Sequence, residues 1–541
     1  MKKLFTLLTA ALMAATTQAQ NIFKITDFGA SPSANIFTNA SAIQQAINVC
    51  SSAGGGTVLV DSGNFSTTTF ILKSNVTLRI NPGASLTAPA LNSDYPEYPY
   101  NQPSWSDNHY TKRSLIFAQE SNNIRITGGG TIYFNGLSGN FLSVQKNFRP
   151  FGIRMHRCKN IRIDSISFRT APHWMVHLFD CDTIYISRLN IFNHGFGSND
   201  GINIDGCRNV LIEDCDIDSN DDPIVVKTHS PAPAEHILVR NCTVATYERA
   251  VKVGNESCGP MRNIRFQNIM VNKSAFYLSL TPANAIYVAV ADGGLAENIV
   301  FENIQVNTPY ETPIFIRLNN RGNKYTAGIP DPPVQYLRNV TIKNFICTAQ
   351  RAIPSSITAI PGYYVENITL ENVNLTLKGY SGILGNSAVP ELEKNRPEPD
   401  MWGDSLPSHA FFIRHAKNIQ FKNVCFEVMG KDLRPAFFFE DTSGIDIKSC
   451  VRPYTSIPEK LLSSTIHIRQ ISANFYEVTN NHPAVFPQVI LLNTQGNVLF
   501  KQRPNVNEGK VILDLNQFPS GLYFLHVESG QESTVKKIFR Y

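Results

Sequence analysis

One short phrase recurs along this chain and restricts its fold more than any other feature. A polar residue, often Asn, precedes an apolar–x–apolar run. It reads NNIRI from Asn122, KNIRI from Lys159, DTIYI from Asp182, RNVLI from Arg208 and EHILV from Glu235. RNIRF from Arg262, ENIVF from Glu297, RNVTI from Arg338, ENITL from Glu366, KNIQF from Lys417 and SGIDI from Ser443 continue it. The central steps, from Ile184 to Val210 to Ile237 to Ile264, are nearly equal in length. Self-similarity at a period of roughly 20 to 50 residues marks a repeat architecture. Each repeat holds short runs of period-two alternation, which is the signature of strands. Only residues 40–50 keep a helical spacing, with Ile43, Ala46 and Ile47 on one face. That segment suits a helix capping the first coil and covering its open edge. The chain therefore reads as all-β, a parallel β-helix in which each coil buries one side of its strands and stacks on the next. A single Ile or Val in the repeats is core packing.

Stacking brings residues one coil apart to about 4.8 Å. Residues 198–227 read SNDGINIDGCRNVLIEDCDIDSNDDPIVVK and hold two Asn-Asp clusters. Asp200 opens the run with Ile202 and Ile204; Asp221 and Asp222 open the run with Ile224 and Val226. The step from Ile202 to Ile224 is one coil, so three carboxylates fall on one face. Glycoside hydrolysis uses such a cluster. Adjacent Asp221 and Asp222 cannot both face outward in a regular strand, which puts them at the bend entering it, where Pro223 fits. Like charges a few ångström apart raise one pKa, as a general acid requires. A lone Asx pair in such a turn merely caps backbone groups; two clusters aligned at one-coil spacing favour chemistry.

The start, MKKLFTLLTAALMAATTQAQ, has the basic, apolar and small-residue regions of a signal peptide over residues 1–19. Residues 20–460 are then the β-helix. From about 464 the pattern becomes short strands with QGN, FPSG and ESGQ turns, a small β-sandwich over 464–541. No other apolar run is long enough to span a bilayer. A net charge of +5 on 541 residues gives nucleic-acid binding no support. There are ten cysteines. Cys158, Cys181 and Cys207 adjoin the repeat phrase, and Cys215 and Cys242 follow it at matching offsets, as a ladder of buried free thiols would. No CxxC or Cys/His spacing suggests a metal, and no cofactor is expected.

FKITDFGASPSA, AIQQAI, GGGTVLV and LKSNVTLRI resemble the start of right-handed β-helix proteins of the pectinase (pectin-lyase-like) class. Residues 174–256 resemble glycoside hydrolase family 28, the polygalacturonases. The family's Asn-Thr-Asp-Gly is matched by Ser198-Asn199-Asp200-Gly201 and its Gly-Asp-Asp by Asn220-Asp221-Asp222, with CRNVLIEDC between them. The resemblance implies an inverting single displacement, with Asp221 as general acid and Asp200 and Asp222 activating water. It also implies substrate contacts for Asn199, for His177 in APHWMVH, and for Lys227 after the Asp pair. Two departures stand out. Tyr247-Glu248-Arg249 replaces Gly-His-Gly. The Arg-Ile-Lys motif becomes Ser279-Leu280-Thr281 in one register and Tyr287-Val288-Ala289 in another, so the family's two carboxylate-binding cations are lost. Glu248 and Arg249 lie one central step beyond Asp221 and Asp222. One coil of stacking puts Glu248 beside Asp221, holding it protonated, and Arg249 beside Asp222; both become substrate-site candidates. The end of the chain, GLYFLHV followed by KKIFRY, resembles the sorting domain of type IX secretion in Bacteroidetes. It implies Sec export to the periplasm and then release to the surface or medium.

The expected partners are a plant or algal polysaccharide and the secretion machinery, with the chain a monomer. Two other functions share the fold. A polysaccharide lyase would use the Asp cluster to hold calcium, with Arg249 or Lys252 as base. A non-catalytic β-helix would only bind carbohydrate. Aromatic side chains over 95–110, with Trp105, and Trp402 are available to stack on sugars or to pack loops on coils. His194 and His229 carry no motif assignment. The long insertion within 369–418 is placed to close one end of a groove.

Overall fold

The computed structural model describes residues 21–98, 111–137, 139–276, 281–322, 333–382, 388–404, 406–450 and most of 466–540. The leader over 1–19 and Trp105 lie outside these residues.

The recurring phrase forms the parallel strands of a β-helix. An unbroken stack of 28 strands runs from Ile22–Lys24 to Phe437–Ile447. The register follows the sequence steps: Ile184 pairs with Val210, Val210 with Ile237, and Ile237 with Ile264. Inward columns such as Ile202, Ile224 and Val226 are at most 1 % exposed and join one continuous core. Each such side chain contributes about 1.5–3 kcal/mol of burial. The capping helix is longer than its periodicity suggests, Ile36–Ser52. Asn35 starts it by accepting from the Phe37 and Thr38 N–H groups.

The Asn of the phrase has its own job. Asn263, Asn298, Asn339, Asn367 and Asn418 all adopt left-handed φ near 55°, a region that Asn tolerates better than most residues. Their side-chain amides hydrogen-bond coil to coil at 2.9–3.2 Å. A second ladder joins Asn241, Asn268, Asn303, Asn344, Asn372 and Asn423. The cysteine ladder is present too: Cys158, Cys181, Cys207, Cys215 and Cys242 are free and buried. Cys425 and Cys450 form a disulfide closing the last coil, which the repeat spacing did not suggest.

Residues 466–540 form two antiparallel sheets, one of three strands and one of four. Val478, Val489, Leu491, Leu513, Leu525 and Val527 build a separate core from both.

Candidate active site

Two bends on neighbouring coils carry the carboxylates. Asp200 precedes strand Ile202–Asp205, and Asp221 and Asp222 precede strand Ile224–Thr228. The bends are tied across coils by Gly201 N–H to Asp222 O (3.0 Å) and Ile202 N–H to Pro223 O (2.8 Å). A Cβ at Gly201 would lie 2.4 Å from the Pro223 carbonyl oxygen, so only glycine permits this approach. Asp221 Oδ1 accepts from the Asp222 N–H at 3.0 Å, and Thr246 and Ser219 hydroxyls donate to the Asp221 carbonyl. The result is the convergence foreseen from the one-coil spacing: one carboxylate oxygen from each of Asp200, Asp221 and Asp222 lies within 4.8 Å of the others.

Two lysines balance this charge. Lys252 Nζ donates to Asp222 Oδ2 at 2.5 Å. Lys227 Nζ is 3.6 Å from Asp200 Oδ2 and sits over the Trp174 ring. Burial, then the neighbouring Asp221, pushes the Asp200 carboxyl well above its ordinary range. Burial, then Asp222, pushes Asp221 up as well. Asp222 Oδ1 is buried and accepts no hydrogen bond among the described residues. Three carboxylates so placed offer ligands suited to a cation, but the lysine ammonium groups already supply positive charge there.

Several of the expected substrate contacts are buried and hydrogen-bonded within the protein. Asn199 is fully buried: its Oδ1 accepts from Phe196 N–H and its Nδ2 donates to Ala171 O and His173 O, which uses its amide to shape the bend. His177 is 2 % exposed and stands under the site. Its Nε2 pairs with Asp205 Oδ2 at 3.0 Å, and burial lowers its pKa to about 3, keeping the ring neutral. Asp205 also holds His229, through Nδ1 at 2.7 Å and the backbone N–H at 2.8 Å. Lys227 is 3 % exposed and serves Asp200 from below. His194 pairs with Asp218 and stacks on Phe276. Tyr95 and Trp402 pack loops: Tyr95 OH donates to Pro89 O, and Trp402 Nε1 donates to Pro390 O.

Arg249 is not the partner of Asp222. The outward column of Val225, Lys252 and Tyr287 sets Lys252 on the neighbouring coil, from which its long side chain reaches back to Asp222. Arg249 Nη1 instead donates to Glu248 Oε2 at 2.6 Å, and Nη2 to Glu398. Burial opposes the Arg249 charge, but Glu398 and Glu248 outweigh it and hold it firmly protonated. Glu248 remains 30 % exposed, and burial lifts its pKa to about 7 despite Arg249, with Asp221 and Asp222 adding to the rise. Strand Arg249–Ser257 pairs with Asn284–Val290, so Tyr287-Val288-Ala289 is the register that faces the site's coil. No cation stands in it.

Glu398 belongs to the inserted segment 388–404, which straps across the outward face of later coils. Its backbone is pinned by Arg317 Nη2 to Glu391 O (2.6 Å), Asn319 Nδ2 to Asn395 O (2.7 Å) and Tyr287 OH to Pro397 O (2.5 Å). Met401 and Trp402 pack on Tyr287, Ala289 and Phe315. Repeat spacing gave no register for this insertion, so Glu398 and Arg396 were not legible; Asp205 was legible only as an outward polar position in its strand.

The chain is similar to known proteins over both of its parts. The model for glycosyl hydrolases family 28 matches residues 50–389, and that for a secretion system C-terminal sorting domain matches 469–540. A probable polygalacturonase of Vitis vinifera is 27 % identical over 297 residues, 50 % of this chain and 58 % of the relative. Polygalacturonase QRT2 of Arabidopsis thaliana is 24 % identical over 282 residues, 49 % of this chain and 60 % of the relative. The chain thus spans about three-fifths of the length of these curated relatives. Two solved structures share the fold. A hyperthermoactive exopolygalacturonase from Thermotoga maritima has a TM-score of 0.57 at 19 % identity, covering 79 % of this chain and 96 % of that one. The family 28 exopolygalacturonase of Yersinia enterocolitica has a TM-score of 0.60 at 17 % identity, covering 80 % and 79 %. With the family model spanning most of the β-helix and the Asp bends inside the matched residues, this chain belongs to glycosyl hydrolases family 28.

Proposed function

We propose that the chain is a secreted glycoside hydrolase that cleaves a plant or algal polysaccharide, pectin-like or related, by single displacement with inversion. Asp221 is the general acid, and Asp200 and Asp222 orient and deprotonate the attacking water. The observation that carries this reading is the convergence of three carboxylates within 4.8 Å, two of them paired to lysines. Asp200 and Asp221 are both raised, but Asp200 has the Lys227 ammonium 3.6 Å away, whereas Asp221 forms no ion pair with a lysine among the described residues; its Oδ1 is occupied by the Asp222 N–H, leaving Oδ2 to carry the proton. A two-carboxylate inverting site spaces its groups roughly 6.5–9.5 Å apart, and a retaining one roughly 5 Å. The short spacing here would suit retention if one carboxylate were a free nucleophile. Asp222 is instead bound by Lys252, and Lys227 stands 3.6 Å from Asp200. Two tethered carboxylates are better suited to gripping a water between them, with the unpartnered Asp222 Oδ1 as the acceptor.

The lysines also weigh against a calcium-dependent lyase, because a divalent cation in the cluster would face two ammonium groups at close range. The sorting domain directs the protein to the cell surface or the medium by type IX secretion.

Screening purified protein on a glycan panel tests the reading. Hydrolysis of at least one polymer is expected, and Asp221→Asn should reduce kcat by roughly 100- to 10,000-fold. An ultraviolet-absorbing unsaturated uronide formed in a chelator-sensitive reaction would replace it with the lyase reading. Binding without cleavage of any glycan would leave only a carbohydrate-binding β-helix.

A further inference from the structure

The cations nearest the carboxylate cluster are spent on protein carboxylates and hidden from substrate. The side chains of Lys227, Lys252 and Arg249 are 4 %, 6 % and 4 % exposed. Arg396 differs. Its side chain is 60 % exposed, and only its Nε is engaged, 2.5 Å from Glu398 Oε1. Both Nη groups take no hydrogen bond among the described residues. Arg396 thus ends a charged row, Glu248–Arg249–Glu398–Arg396, whose other end is the carboxylate beside Asp221 and Asp222.

The strap holds this guanidinium in place rather than leaving it on a loose loop. The carbonyls immediately before and after it, Asn395 O and Pro397 O, are gripped by Asn319 Nδ2 and Tyr287 OH, both buried residues of the solenoid wall. A guanidinium on a fixed stem, with its side chain 60 % exposed and both Nη groups without a hydrogen bond among the described residues, can take an oxyanion in a forked hydrogen bond.

We propose that Arg396 is a substrate-specificity residue that receives an oxyanion, a carboxylate or a sulfate ester, carried by a sugar beside the scissile bond. Tyr287 acts through it as a positioning residue. The proposal rests on the hydrolase reading for the identity of the ligand as a sugar. It makes the substrate an acidic glycan whose charge is read from the inserted strap instead of from the strands of the β-helix.

The test is a titration of the full-length protein with D-galacturonate, galactose 6-sulfate and D-galactose, followed by saturation-transfer NMR. One of the two anions should bind at least about tenfold more tightly than galactose, and the preferred one identifies the source of the charge. Arg396→Ala should erase the preference, and Arg396→Lys should keep part of it. Tyr287→Phe, which frees the Pro397 carbonyl, should weaken it. Equal binding of all three sugars, undetectable binding included, overturns the proposal, as does a preference that survives Arg396→Ala. Failure of the hydrolase reading is separate: the glycan panel would then show an unsaturated uronide or no cleavage at all, whatever the titration shows.

Discussion

Lys252 reaches 2.5 Å from Asp222 Oδ2, in the place where one-coil counting had put Arg249. Both groups are buried, and the pair is worth more intact than either charge alone. Lys252→Met should cost about 3–5 kcal/mol in a urea melt, because it leaves a buried carboxylate uncompensated. Lys252→Met combined with Asp222→Leu should recover most of that stability while remaining inactive. A single variant as stable as the parent would show that the pair carries no such load. Asp180 gives a pH effect of known sign. Burial raises its pKa to about 7, although the Ser230 hydroxyl donates to it. The folded state therefore binds this proton more tightly than the unfolded chain does, and stability falls as pH rises from about 4 towards 7. Asp180→Asn keeps the acceptor and removes the charge. Its melting temperature should match the parent near pH 4 and exceed it near pH 8; equal values at both would refute the assignment.

At the scale of single elements, the coil is where the sequence was most legible. Strand register, the inward columns and the two Asp bends all follow from period-two alternation and a near-constant step between coils, because stacking forces equivalent positions into contact. The Asn of the phrase was visible as a turn residue, but its amide ladder depends on a left-handed backbone that spacing does not reveal. Asn344 shows the consequence. Its φ is 54°, it donates to Asn303 Oδ1 at 2.8 Å, and it accepts from Asn372 at 3.1 Å. Gly at this position loses only the ladder bonds, whereas Ala also keeps the strain of about 1 kcal/mol. Thermal melts should rank the parent above Asn344→Gly and Asn344→Ala lowest; the reverse order of the two variants would contradict this. The strap over 388–404 was legible only as an insertion, since a loop without repeat register has no coil to be counted from. That is why Glu398 was missed, and with it the true partner of Arg249. His177, Asn199 and Lys227 were found in the right coil, but their burial was not legible, because sequence distance does not separate a residue lining a cleft from one lying beneath it.

Across the whole molecule, two cores divide the work: one in the solenoid and one in residues 466–540. We propose a boundary near 460–464. Deleting 464–541 should leave hydrolysis by the purified β-helix intact and abolish appearance of the protein outside the cell, as read by fractionating the culture. Loss of hydrolysis with retained export would reverse the division. The family 28 solenoid supplies the stacked bends, and the bends supply three carboxylates of unequal partnership. The stereochemistry of cleavage reports most directly on whether they act as assigned. Proton NMR of the first-formed product, recorded before mutarotation, should show the anomer opposite to that of the bond cleaved, as a single displacement by water held between Asp200 and Asp222 requires. A first-formed anomer of the same configuration would make one of these carboxylates a nucleophile and contradict the account.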